Sequence, residues 1–420
     1  LIPGLMFPEL YMILFAILDV AFSIAFFCWN YIYSRNKRIQ LNQVIKIQKM
    51  KALFLIFHGF QEANGISKKI RYQVHALEAN GMETHLCYLS DEYRIKRRMI
   101  DQDVLVNYGT GLKGKLYKRL EFNSIARYAI KNHINLVYIR TDHNANPFTI
   151  NLVKKIKKAG IHIVMEIPTY PYDQEYTSFF MKVQLFIDKC FRQQFAKYLD
   201  KIITFSNYTS IFGISTLQLS NGIDFDEIPV KQKVNDTTQQ IHLIGVAEIH
   251  YWHGYDRLLQ GLAEYYATNP HYNVYFHIVG EFTAQREREE CIPIIKNNHL
   301  EPFVILHGQL HGASLDILFE RCDLGVGSLG RHRSGITNIK TLKNREYAAR
   351  GIPFIYSEID EDFETMPYIM KIPANESSVD IQQVINFHNK IDLTPTKIRE
   401  SIKQLSWKEQ MKKVITSIKI

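Results

Sequence analysis

The stretch "ALFLIFHGFQEANGISKKIRYQVHALEANGMETHLCYLS", residues 52–90, sets how this chain folds. Its opening, "ALFLIFHGF" (52–60), is an apolar run of strand length, rich in Phe, Leu and Ile. "ISKKIRYQVHALEANG" (66–81) spaces its apolar residues for one face of a helix and stops at Gly81, a residue type suited to the left-handed turn that closes helices. "THLCYLS" (84–90) is again a short apolar run. Strand, helix and strand in this order form the unit of a parallel sheet, because a crossover helix is what returns the chain to start a second strand in the same direction.

Further along the chain the alternation recurs in "NLVYIRT" (135–141), "PFTINLVKKIKKAG" (147–160), "IHIVMEIP" (161–168) and "DKIITFSN" (200–207), completing one Rossmann-like domain near residue 222. The polar segment "VKQKVNDTTQQ" (230–240) has no apolar face to bury and reads as an interdomain connection. A second series comes after it, with strands at 241–247, 273–280, 304–308, 323–328 and 352–357 and helices at 254–268 and 314–322. Residues 395–420 read as helical throughout. The predicted fold is α/β, two Rossmann-like doubly wound domains facing a cleft: 50–224 on one side, 225–394 on the other, with 395–420 as a helical tail.

The first 49 residues stand apart. "LYMILFAILDVAFSIAFFCWNYIY" (10–33) is long enough to cross a bilayer with Asp19 as its only charge, and Arg35, Lys37, Arg38, Lys46 and Lys49 would hold the downstream domains in the cytoplasm. Two readings stay open: a transmembrane anchor, or an upstream extension of a chain that starts at Met50.

A net charge of +9 over 420 residues points to anionic partners, but no zinc-finger spacing, RNP-like strand or arginine-rich arm is present, which argues against nucleic acid. A membrane surface or a phosphorylated small molecule fits better. The five cysteines are far apart and form neither a C-x-x-C pair nor a disulfide framework. No metal-ligand spacing is visible.

Three loops carry candidate chemistry. "HGFQEANGISKK" leads from the first strand into the first helix, where Gly59 and Gly65 allow close backbone approach and the helix start offers free N–H groups. "GVGSLG" (325–330) matches G-x-G-x-x-G, yet it sits late in its domain and does not open a helix, so a dinucleotide site is not indicated. "GRHRSGITNIKTLKNRE" (330–346) is the richest. Gly335 and Thr337 lie ahead of a helix that Asn338 is placed to cap, and Arg331, Arg333, Lys340 and Lys343 surround its positive end, a setting for a diphosphate. Glu346, two turns on, can accept bonds from ribose hydroxyls; the plainer reading is a helical Lys343–Glu346 pair.

The segments "NGISKKIRYQVHALEANGMETHLCYL", "SNGID" (220–224), "VAEIHYWHGYDRLLQGL" and "NREYAARGIPFI" together resemble the nucleotide-sugar glycosyltransferases of GT-B architecture, glycosyltransferase family 4 in particular, over roughly residues 50–420. The resemblance implies a retaining transfer of a sugar from a nucleoside diphosphate sugar to an envelope glycan or lipid-linked acceptor at the inner face of the cell membrane. It implies no cofactor, the donor being a substrate, and no nucleic-acid partner. Glu346 takes the place of the family's ribose-binding glutamate. The family's earlier glutamate is Asn338 here, and its diphosphate-holding arginine and lysine fall on Glu248 and His253, so the cations at 331, 333, 340 and 343 must substitute. On the first domain, Asp142, His143 and Glu166 follow strands and are the candidate catalytic groups. A non-catalytic nucleotide-sugar-binding subunit and a nucleotide-sugar epimerase on the same fold are the alternatives.

Overall fold

The structure is a computed structural model that describes residues 25–35, 49–60, 65–141, 145–173, 176, 178–232, 239–282, 284–336 and 338–418. The chain divides into two units, Leu1–Met50 and Lys51–Ile420. In the first, residues 25–35 form an exposed helix with Phe26, Phe27 and Trp29 facing solvent; most of the apolar stretch 10–33 lies outside the described residues. Among the described residues no helix is long and apolar enough to cross a membrane.

The second unit holds two sheets. The first contains β1 (Lys51–Gly59), β2 (Glu83–Glu92), β3 (Ile95–Ile100), β4 (Asp103–Gly109), β5 (Leu136–Arg140), β6 (His162–Ile167), β7 (Lys201–Thr204), β8 (Ser210–Ile211) and β9 (Ile214–Gln218), in the order β4-β3-β2-β1-β5-β6-β7-β9-β8. Strand β1 is central, paired in parallel with β2 on one side and β5 on the other, and Ala52–Ile56 are fully buried. That is what a continuous apolar run predicts, since a strand covered on both faces has no polar side. The antiparallel β2–β3–β4 edge did not show in the pattern, because β3 (IKRRMI) alternates buried and half-exposed positions and fills several of them with cations. The helix Phe179–Ala196 was hidden for a related reason: Phe179, Phe180, Val183 and Phe186 are exposed, so its apolar residues trace no single inward stripe.

The second sheet contains β10 (Gln240–Val246), β11 (Asn273–Val279), β12 (Val304–Gly308), β13 (Leu324–Val326), β14 (Phe354–Tyr356) and β15 (Ile369–Lys371), all parallel, in the order β12-β11-β10-β13-β14-β15. Here "GVGSLG" finds its reason. A Cβ on Gly325 would stand 2.5 Å from the Tyr347 ring and one on Gly327 2.8 Å from Tyr356. The glycines let the helix Leu342–Arg350 lie close on the sheet.

That helix starts later than its sequence predicts. Thr341 is its N-cap, while Asn338 instead bridges Ile359, so Glu346 sits in the second turn. The tail is also not one helix: it breaks into Pro395–Glu400, a 3-10 turn at Lys403–Leu405, and Trp407–Ser417. The last piece returns to the first sheet's side, where Lys408 O accepts from Asn80 Nδ2 at 2.9 Å and Gln410 Oε1 from Ser220 N at 3.0 Å.

One buried cation joins these parts. Arg345 has no exposed side-chain area and pairs with Asp360 (2.7 Å) and with Asp362. It also donates to the carbonyls of Asn221 and Thr341, each at 2.8 Å, and to Ser220 Oγ at 2.9 Å. Arg345→Ala would leave two carboxylates uncompensated, so urea unfolding is expected to report a loss of about 3–5 kcal/mol. Lys403→Ala, which breaks the exposed Lys403–Glu400 pair, is expected to cost about 0–1 kcal/mol. Equal losses in the two variants would contradict the role assigned to Arg345.

Candidate active site

Between the two sheets lies a cleft of about 1030 Å³ lined from both sides. Its first wall is built at the C-terminal ends of the first sheet's strands: Gly65 and Lys69 after β1, Arg140 ending β5, Pro168–Pro171 after β6 and Phe205–Tyr208 after β7. Its second wall takes Val246–Glu248 after β10, Ser328 after β13, and Arg331, Gly335, Asn338, Lys340, Lys343 and Glu346. The ends of parallel strands are where open α/β sheets place ligands.

On the first wall, Glu166 is fully buried and is not among the lining residues. Its carboxylate takes Lys69 Nζ at 3.2 Å, Tyr138 OH and Gln73 Nε2 at 2.6 Å each, and Arg140. Burial alone would raise its pKa, but Lys69 and Arg140 outweigh that and bring it down to about 2. Expected as a catalytic group in the cleft, Glu166 lies under the wall instead, paired with two cations that line the cleft. Lys69 is pushed down to about 8, by burial first and against the pull of Glu166, and sits 3.8 Å from the Phe205 ring centroid. Asp142, His143 and Thr337 lie outside the described residues.

The second wall is different in kind. Lys343 Nζ, Arg331 Nε, Ser328 Oγ, Thr341 Oγ1 and Asn221 Oδ1 are buried polar atoms with no hydrogen-bond partner, and all five residues line the cleft. Each such atom costs about 1–3 kcal/mol when nothing satisfies it, and folded proteins pair the great majority of them. A cluster on one wall marks a place where a polar ligand completes the bonding. Burial pushes Lys343 down to about 7, partly opposed by the attraction of Glu358, whose own carboxyl burial raises to about 6.

His253, which the family resemblance sets where a lysine is common, is buried and held neutral. Burial drives its pKa well down, and the neighbouring Lys343 and Arg331 push the same way; its Nδ1 accepts from His250 N at 2.9 Å. The two cations therefore come close to the position where His253 lacks a charge.

Glu346 lines the cleft with its side chain 25% exposed, and its partner is Arg350 at 2.9 Å rather than Lys343; Arg350 also meets Asp316 at 2.8 Å. Gly65, Gly335 and Lys340 line the cleft as well. Arg333 does not. It pairs with Asp256 through bonds of 2.8 and 2.7 Å and with Glu376 at 3.0 Å, which pins the 3-10 turn Arg331–Ser334 to the helix Tyr255–Tyr266. Its charge is spent on the scaffold and is not available for the phosphate role expected from sequence, whereas Arg331 lines the cleft. Folding also gathers His75, Asp224 and Glu227 so that their ligand atoms lie within 4.8 Å, but none of them lines the cleft and Glu227 already accepts from Arg71 and Tyr72.

Lys69, Arg140, Asn221 and Glu358 were missed by sequence reasoning. Arg140 and Glu358 did carry a signal, a charge placed directly where an apolar strand ends.

No protein-family model and no curated protein matches the sequence. Solved structures do. The chain is similar to sucrose-phosphate synthase from Thermosynechococcus elongatus (14% identity, covering 88% of this chain and 99% of that one, TM-score 0.58). It is similar to HepE from Anabaena in complex with UDP and glucose (14% identity, 88% and 100%, TM-score 0.55). A third is the E. coli trehalose-6-phosphate protein bound with UDP-2-fluoro glucose (12% identity, 88% and 99%, TM-score 0.53). At these identities the likeness establishes the fold: an α/β chain of two Rossmann-like domains facing a cleft, the GT-B arrangement.

The buried lysine makes stability depend on pH with a definite sign. Unfolded, Lys343 keeps its proton to about 10.5; folded, it releases it near 7, so between these values the unfolded state binds more protons and stability rises with pH. In the ligand-free protein the urea midpoint of the wild type is expected to climb relative to Lys343→Met across this window. Parallel curves would show that the ammonium is not buried.

Proposed function

We propose that the chain is a retaining glycosyltransferase of the family 4 type, which moves a sugar from a nucleoside diphosphate sugar to an envelope glycan or lipid-linked acceptor at the cytoplasmic face of the membrane. The observation that carries this is the set of partnerless buried donors and acceptors on the second wall, with Lys343 Nζ and Arg331 Nε at its centre. A diphosphate supplies what those atoms lack: negative charge for two cations and oxygens for their N–H groups. The solved structures that share the fold and hold UDP, glucose or a UDP sugar support the same ligand class.

In this reading Arg331 and Lys343 take the diphosphate, with the cleft-lining Lys340 and Gly335, and Glu346 takes the ribose hydroxyls; Thr337, outside the described residues, keeps the donor-binding role expected from sequence. Departure of a nucleoside diphosphate builds charge on its terminal phosphate, and cations fixed in a site sheltered from water stabilise that charge more than water would. Lys343 is poised for this work, because an incoming dianion reverses the burial penalty and draws a proton onto the amine. The acceptor takes the first wall, where Lys69 and Arg140, both set by Glu166, face the cleft alongside Tyr170 and Tyr208. Asp142 and His143 remain the candidates for handling the acceptor proton. No cofactor is required, since the donor is a substrate.

Incubation of the purified chain with a panel of nucleotide sugars and glycan or lipid-linked acceptors tests the activity. Release of nucleoside diphosphate that depends on acceptor is the expected result. Conversion of the donor to an isomer without acceptor would favour an epimerase, and binding without turnover a non-catalytic subunit. In calorimetry, Glu346→Ala is expected to weaken nucleoside diphosphate binding by about 2 kcal/mol, roughly thirtyfold. Binding near pH 8 should take up a proton in the wild type and none in Lys343→Met; proton uptake that survives the substitution would remove Lys343 from the phosphate site.

A further inference from the structure

The basic charge of this chain is concentrated. Between residues 111 and 160 there are eleven lysines and arginines against two acids, a surplus of nine that equals the net charge of the whole chain, +9. This segment builds the helices Gly111–Leu120, Asn123–Lys131 and Pro147–Lys158, and Phe179–Ala196 comes after them. The strand order runs from β1 through β5 and β6 to β7 in one direction, so right-handed crossovers put their connecting helices on one face of the first sheet. The helix Gly65–Ala79, which steps the other way from β1 to β2, takes the opposite face.

Of the basic residues in 111–160, Arg140 is bound to Glu166, and Lys131, Lys155, Lys157 and Lys158 lie in the last turns of their helices. Exposed apolar residues in the early turns share one edge with Lys113, Lys115, Lys118, Arg119 and Lys182. In the helix Gly111–Leu120, Leu112 is 83% and Leu116 61% exposed, and Lys113, Lys115, Lys118 and Arg119 lie between and after them with no acid in the helix. Phe148 in the helix that follows β5 is exposed, as are Phe179, Phe180 and Val183 after β6, with Lys182 among them. All of these sit in the early turns of helices that follow parallel strands, β4 included, which is parallel to β2 through two antiparallel steps. They therefore share the edge of the sheet at which the cleft opens. The cleft-lining loop Pro168–Pro171 leads into the chain that enters the helix at Phe179.

Large apolar side chains left in water beside lysines are the chemistry of a helix that lies in a bilayer interface, with rings and leucines among acyl chains and ammonium groups at anionic headgroups. A nucleic acid would match the cations and its bases could stack on Phe179 and Phe180, but it offers nothing to Leu112 and Leu116, which a bilayer buries together with the rings. We propose that this edge of the first lobe seats the protein on an anionic lipid bilayer, bringing the mouth of the cleft to the membrane surface. The inference deepens the reading of a lipid-linked acceptor, and its test does not depend on that reading.

The test uses the full chain with vesicles of phosphatidylcholine alone or mixed with phosphatidylglycerol, read by a binding isotherm and by hydrogen exchange. The expected result is binding that requires phosphatidylglycerol and weakens with salt, with new amide protection in 111–120 and 178–187. Each basic group near an anionic surface contributes roughly fivefold to binding, so Lys113→Glu/Lys115→Glu should weaken it about twentyfold or more. Leu112→Ser/Leu116→Ser/Phe180→Ser should lower it as well. These exposed positions are outside the nucleotide site, so calorimetric nucleoside diphosphate binding should be unchanged in both variants, which also reports that they fold. Equal binding to both vesicle types, protection confined to residues 1–50, unaltered isotherms in the variants, or protection of this edge by an RNA oligonucleotide but not by vesicles would each overturn the proposal. Loss of the nucleotide reading would appear separately, as absent nucleoside diphosphate binding in every form.

Discussion

A guanidinium with no access to water has to be compensated completely, and Arg345 is compensated by groups from three separate parts of the chain: Asp360 and Asp362 beyond β14, Ser220 and Asn221 where the chain leaves the first sheet, and Thr341 at the start of its own helix. Such an arrangement fixes the rotation of the helix Leu342–Arg350 as well as its place. At 100° per residue, Lys343 and Glu346 fall on a face turned away from Arg345. Anchoring one side of the helix therefore aims the other at the cleft. Gly222 belongs to the same constraint, since a Cβ there would stand 2.5 Å from the Trp407 ring and push the tail away from the junction.

The two walls treat charge in opposite ways. Beneath the first, the single charge of Glu166 is shared by Lys69 and Arg140 before any ligand arrives, and its network of Tyr138 and Gln73 leaves that carboxylate fully bonded. The result is a surface whose two cations are held by a fixed counter-ion, with one positive charge in surplus. The second wall keeps Lys343 without a hydrogen-bond partner, and burial raises the pKa of Glu358, the acid that attracts it. An electrostatic deficit kept in the folded state is expensive, and it is a reasonable cost only where an anion regularly fills it.

How much of the fold and site was legible depends on what each element is made of. The parallel strands β1, β5, β6, β10 and β11 could be read because burial on both faces forces an unbroken apolar run. β3 could not, since it carries Lys96, Arg97 and Arg98 between two antiparallel neighbours, and the buried Arg98 donates to the Ile56 carbonyl while Lys96 pairs with Asp91, partners no local pattern shows. Glu346 and Lys343 line the cleft although the helix start from which they were read slipped, because Asn338 is as good a capping residue as Thr341 and the bridge to Ile359 takes it. Arg331 and Arg333 are indistinguishable in sequence. Their fates differ because Asp256, 77 positions away from Arg333, meets one and not the other, a pairing no local pattern contains. Glu166 was correctly set at the end of a strand but on the buried side of it, and the side is decided by Lys69 and Arg140 arriving from other elements.

The family resemblance set an arginine and a lysine against Glu248 and His253, and taken position by position that loss argues for a dead site. The physical requirement is positive charge near one spot, and it can be met from any element that reaches it. Burial first, and then Lys343 and Arg331, depress the pKa of His253, so the two cations lie in its neighbourhood. A third ammonium at 253 would add like-charge repulsion to Lys343 and Arg331, which already share the attraction of Glu358, while a neutral imidazole fills the space and accepts the His250 N–H. The number of cations facing the proposed diphosphate is thus kept while their origin moves from the loop after β10 to the one before the helix Leu342–Arg350. A neutral histidine at 253 is therefore compatible with lysine at 343, and the departure from the family pattern does not by itself remove positive charge from this wall.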